Sequence, residues 1–270
     1  MLFNNLGRVI PSNDCRVFSG SPKTFYQFNT VDTDYRSQHD LFLEAGIVPK
    51  NASVADVEGK LEGIREALVK DDDYRNIFKG TAIPFCFTDI DARADLGSRL
   101  ESFWMPMLKE AYEENVPGSY FKAILQGNSK LEKNVSCSPN TGYEEFLESL
   151  EKSLVVGYYF PSAFQEFDLA SQRKRISDFP NAPGLRVSLS GPLEIIYSLV
   201  AYPQLLFNKE KYSPILLASA AEHVDPRMVL MFKAYGPHLE FWLMTQMLSP
   251  TKTQVSEQWA GGLTIYSTLN

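Results

Sequence analysis

The stretch IPFCFTDIDARADLG, Ile83–Gly97, sets Asp89 and Asp91 two residues apart at the end of an apolar run. Carboxylates at that spacing supply hard oxygen ligands that can share a divalent ion such as Mg²⁺. A position beyond the carboxyl end of a strand is also where α/β sheets gather ligands. A divalent metal is therefore the candidate cofactor, and a metal-dependent hydrolase or transferase the matching chemistry. Asp91 or Asp95 has a plainer use as N-cap of the following helix, accepting a backbone N–H that the first turn leaves open. A second set lies late in the chain, where EHVD (Glu222–Asp225) offers His223 and Asp225, and His238 follows. Two histidines and a carboxylate are the ligands of an iron-dependent oxygenase. In SLSGPLE (Ser188–Glu194), Ser190 precedes a helix start at Pro192. Helix N-termini attract anions, although a proline at the first position removes one donor.

The residues FCFTDID, Phe85–Asp91, resemble the first motif of haloacid-dehalogenase-type phosphatases, in which the first aspartate is the nucleophile. The resemblance covers only this short stretch. Ala92-Arg93 stand where that family carries Gly-Thr, and after Asp95 only Asp168, Asp178 and Asp225 follow. Other nucleophile signals are absent from the sequence: it holds no G-x-S-x-G and no zinc-type cysteine spacing. Cys86 sits in an apolar strand, where a thiol is an inert core residue.

Regular elements must hold these groups in place. CRVFS and TFYQF, on either side of Gly20-Ser21-Pro22-Lys23, read as an opening hairpin. A helix over about 34–45 follows. Val54, Val57, Leu61, Ile64 and Leu68 then form one helical stripe, with Ser53 and Asp56 placed as a capping box and glutamates on the opposite face. TAIPFCF reads as a buried strand. The next helical stripe runs from Leu96 to Tyr112, and Pro106 within it predicts a kink or break. Strands near 119–125 and 134–138 precede a helix capped by Thr141. LVVGYYF is an apolar strand that Pro161 should end, with a helix beginning near Ser162. RVSLS and the helix at Pro192 complete the alternation.

After Tyr202 the pattern changes to four strand candidates with short connections. MVLMFKAY and HLEFWLM alternate on either side of Gly236-Pro237, so Phe232 should face Phe241, Lys233 should face Glu240 and Tyr235 should face His238. That pairing gives His238 a structural role in competition with iron. The fold class is accordingly α/β, a mixed sheet flanked by helices with a C-terminal antiparallel meander. One continuous domain over 1–270, or two fused lobes at 1–202 and 203–270, accommodates it.

A net charge of −7 with a pI near 5.1 makes nucleic acid and anionic membranes poor partners. No segment has the roughly 18 apolar residues of a membrane span. Three scattered cysteines and an N-terminus unlike a secretory signal suit the cytoplasm. The aromatic content, Phe 18, Tyr 13 and Trp 3, fits a pocket for an apolar ligand as well as a core. The leading expectation is a cytosolic protein binding a small, partly apolar ligand in an aromatic-rimmed pocket near strand ends at Asp89, Ser162 and Ser190. The metal-dependent enzyme on Asp89 and Asp91 is the alternative, and the oxygenase on His223, Asp225 and His238 comes after it.

Overall fold

The computed structural model describes the chain except for residues 19–25, 30, 32, 51, 128, 181, 208–211, 246, 250, 251, 254 and 270. The helices are α1 (Arg36–Glu44), α2 (Val54–Lys70), α3 (Leu96–Arg99), α4 (Met105–Asn115), α5 (Tyr143–Lys152), α6 (Leu169–Ile176) and α7 (Pro192–Ala201). The first strands are β1 (Ile83–Phe87), β2 (Phe121–Leu125), β3 (Val135–Cys137), β4 (Leu154–Gln165) and β5 (Arg186–Leu189). The C-terminal part adds β6 (Ile215–Leu217), β7 (Ala221–His223), β8 (Met228–Tyr235), β9 (His238–Thr245), β10 (Met247–Ser249), β11 (Lys252–Thr253) and β12 (Trp259–Leu269).

Eight of these strands form one mixed sheet in the order β1-β4-β12-β6-β8-β9-β2, with β5 also paired to β12. The fold is α/β. β12 does not extend the meander from its end. It returns to the middle of the sheet, antiparallel to β4 and parallel to β6. The sheet therefore takes strands from both sides of residue 202.

The β8–β9 hairpin has the register its alternation predicts: Phe232 faces Phe241, Lys233 faces Glu240 and Tyr235 faces His238. Gly236 supplies the positive φ, 58°, that the tight turn requires. Facing each other does not make Lys233 and Glu240 an ion pair. The Glu240 carboxylate accepts the Trp242 indole N–H at 2.7 Å, and the Lys233 ammonium lies over the Trp242 ring at 5.1 Å.

The break expected at Pro106 is found, and two further expectations are corrected. The helical stripe around Pro106 is divided: a π-helical turn spans Leu100–Trp104, and Pro106 opens α4, where its missing N–H is harmless. β4 does not stop at Pro161, and no helix begins at Ser162. The strand continues to Gln165 because the β4–β12 register shifts between Gly261 and Leu263, leaving Pro161 in a bulge where no ladder donor is needed. In place of the opening hairpin, Val17 bridges Phe167 and Tyr26 bridges Tyr212. Its Gly20–Lys23 turn lies outside the described residues.

Helices cover both sheet faces. α7 is buried along its whole length, and Tyr197 stacks between Phe42 and Phe87 at centroid distances of 4.0 and 4.8 Å. On the opposite face Pro84 and Tyr158 are cross-strand neighbours that point towards α2. The stripe Val57, Leu61, Ile64 and Leu68 on α2 is buried, as its spacing predicts.

Candidate functional site

At the end of β1, Asp89 is buried and its carboxylate is fully engaged. Oδ1 accepts the Arg99 guanidinium at 2.7 Å and the Asp91 backbone N–H at 3.1 Å, while Oδ2 accepts the Trp104 indole N–H at 3.1 Å. Asp91, far more exposed, lies 3.8 Å from the other Arg99 nitrogen. The two carboxylates thus converge, but on a guanidinium held against the Phe103 ring at 4.5 Å. A tethered cation stands where a divalent ion would have to bind. The helix cap falls to Asp95, which accepts the Ser98 N–H at 2.6 Å.

His223 and His238 are not neighbours. His223 pairs with Val135 on the short β3–β7 ladder, and its Nδ1 accepts the Asp225 N–H at 3.0 Å. His238 sits at the turn end of the β8–β9 hairpin, stacked on Tyr120 at 3.9 Å. The length of β8 separates them, on the order of 20 Å at strand rise. Asp225 is gripped by Arg227 at 2.7 Å, and that hydrogen-bonded guanidinium brings its carboxyl down to about 2. Among the described residues, no group of three or more His, Cys, Asp and Glu side chains could hold a metal ion.

Nor do Asp89, Ser162 and Ser190 share a pocket. By the β1–β4 register Asp89 lies beyond Phe87 at one end of the pair, and Ser162 lies beyond Ile83 at the other. Ser190 is locked to the backbone of Gly262, its Oγ accepting that N–H at 3.1 Å and its own N–H donating to the carbonyl at 3.0 Å. Cys86 is buried, and desolvation pushes its thiol up to about 12. It is a core residue.

Ser162 does mark something. Its hydroxyl packs beneath Gly80, 3.0 Å from where a Cβ would stand, and Gly80 is on the rim of a cleft of about 450 Å³. The apolar wall comes from Leu61, Phe78, Ala82, Pro84 and Tyr158. The Phe78 and Tyr158 rings meet edge to face at 5.0 Å, and Phe160 stands edge-on to Phe78 at 5.3 Å. Glu58, Glu62 and Arg65 of α2 supply a charged wall, with Asp34 and Tyr35 closing one side. Burial pushes the Tyr158 phenol up to about 12, with Arg65 pulling it down and Glu62 pushing it up.

The α2 glutamates read in sequence as a solvated face, and nothing in the spacing of Phe78, Ala82 and Tyr158 joins them to it. The one local hint is a tyrosine inside an apolar strand, since a phenol needs a route for its polar tip.

A second polar cluster is sealed inside. Glu194 at the start of α7 is completely buried; its Oε1 accepts the Thr264 hydroxyl at 2.9 Å and the Gly191 N–H at 3.3 Å. Burial raises its carboxyl to about 8, so it carries a proton at neutral pH. The rings of Tyr143 and Tyr159 enclose this cluster by packing onto bare backbone. A Cβ at Gly191 would stand 2.0 Å from the first ring, and one at Gly262 would stand 2.1 Å from the second.

No known protein-family model, no curated protein and no solved structure matches the chain.

Proposed function

We propose that the protein binds a small, partly apolar organic ligand in the cleft between α2 and the β1–β4 end of the sheet. The lining carries this reading: Phe78 and Tyr158 beside Ala82 and Pro84 form one apolar wall, and the charged groups of α2 face it. Small-molecule sites combine an apolar surface with polar groups that orient the ligand, and here the polar surface is the larger share, which suits a ligand that is only partly apolar. A volume of about 450 Å³ falls in the size range of such sites.

The reading takes the protein to be soluble and cytoplasmic, a setting that suits its free Cys15, Cys86 and Cys137. Among the described residues, no helix is long and apolar enough to cross a membrane. A net charge of −7 argues against nucleic acid as the partner.

Titration with an uncharged naphthalene fluorophore tests the proposal. Saturable binding is expected, and Ala82→Trp, which fills the cleft from one wall, should abolish it without lowering the unfolding temperature appreciably. Non-saturable binding, or binding indifferent to that substitution, refutes the reading.

A further inference from the structure

We infer that the ligand is a zwitterion, a free α-amino acid with an apolar or aromatic side chain, whose carboxylate meets Arg65 and whose ammonium meets Glu62; this rests on the reading of the cleft given above. The charge distribution carries it. Of the acids on the cleft wall, Glu58 is already bound by Arg36 at 2.6 Å, and Asp34 accepts the Arg36 backbone N–H at 3.2 Å. Glu62 and Arg65 are one turn apart on α2, yet among the described residues neither makes an ion pair. The Arg65 guanidinium stands over the Phe78 ring instead, 5.6 Å from its centroid. Both charges act on the Tyr158 phenol in opposite senses, so both heads lie near the same aromatic surface.

The cleft therefore offers one positive head and, one helical turn from it, one negative head, both beside the Phe78 and Tyr158 rings. Residues three apart on a helix have Cβ atoms about 5–6 Å apart, which sets a short spacing for the two heads. An α-amino acid separates its ammonium and carboxylate by a single carbon and matches that spacing. A ligand with one charge would leave the opposite head unanswered, and a long ω-amino acid would overreach the pair. The side chain of an α-amino acid then lies on Phe78 and Tyr158, where edge and face contacts favour an aromatic ring.

Isothermal titration with four probes tests this: phenylalanine, N-acetylphenylalanine, phenylalanine amide and 2-phenylethanol. Phenylalanine should bind tightest, each blocked derivative about two- to fivefold more weakly, the scale of an exposed ion pair. Arg65→Gln should make the acid and its amide equivalent, and Glu62→Gln should do the same for phenylalanine and its N-acetyl form. Both side chains are exposed, so neither substitution endangers the fold. If the blocked forms bind as well as phenylalanine, or the variants leave the differences intact, the zwitterion is wrong. Binding of 2-phenylethanol that Ala82→Trp abolishes would then preserve the cleft as an apolar site. If none of the four binds, both readings fall.

Discussion

Glu194 should make the protein less stable as pH rises through neutrality, and Glu194→Gln should remove that dependence. In the folded chain its carboxyl is raised from 4.5 to about 8, chiefly by complete burial. Below pH 4.5 the carboxyl is protonated in both folded and unfolded chains, and burial costs no charge. Between 4.5 and about 8 the unfolded chain releases the proton while the folded chain keeps it, so folding must take a proton up. Stability falls through this window and levels off once the folded carboxyl has also ionised. At about 1.4 kcal/mol per pH unit the whole interval is worth roughly 5 kcal/mol. That is a large share of the 5–15 kcal/mol typical of a folded domain.

Glutamine keeps the acceptor for Thr264 and Gly191 and places an amide where Oε2 has no partner. Its own cost is then about 1–2 kcal/mol and independent of pH. Urea unfolding of both proteins at pH 5, 6.5 and 8 provides the assay, because the difference between the proteins cancels every other titrating group. The variant should gain about 3–4 kcal/mol relative to the parent between pH 5 and pH 8. Parallel stability curves would refute the reasoning and mean that the folded protein does not hold Glu194 protonated.

Asp89→Asn should cost about 3 kcal/mol by leaving the Arg99 guanidinium short of its buried partner, and added Mg²⁺ should not restore the unfolding temperature. Asp91→Asn, at the exposed end of the same cluster, should cost less than about 1 kcal/mol in the same melts. Gly262→Ala should cost about 3 kcal/mol or prevent folding, since the new methyl meets the Tyr159 ring, whereas Gly63→Ala on α2 meets nothing within 4 Å and should add about 1 kcal/mol. Denaturant midpoints of the two glycine variants check this contrast, and similar effects at both sites would count against the packing described at Gly262.

Local pattern was enough for those features whose physics is local. A period of two on either side of Gly236-Pro237 determined the β8–β9 register, because a slip of one residue would turn Phe232 and Phe241 out of the core. The stripe from Val57 to Leu68 determined the buried face of α2, and the alternation of strands and helices determined the α/β class. Tertiary structure decided the rest. Apolar runs declare that GLTIYST and LVVGYYF are buried strands, but burial does not name a neighbour, and only closure of the sheet put β12 between β4 and β6. That same pairing made the bulge that lets β4 run through Pro161. Asp89 and Asp91 looked like metal ligands because a short window sees two carboxylates; the folded α3 delivers Arg99 to them from one side. The cleft draws on α2, the segment before β1, and β4. Its residues are far apart in the chain, and spacing along a sequence carries no signal for surfaces that meet only when the sheet and helix pack.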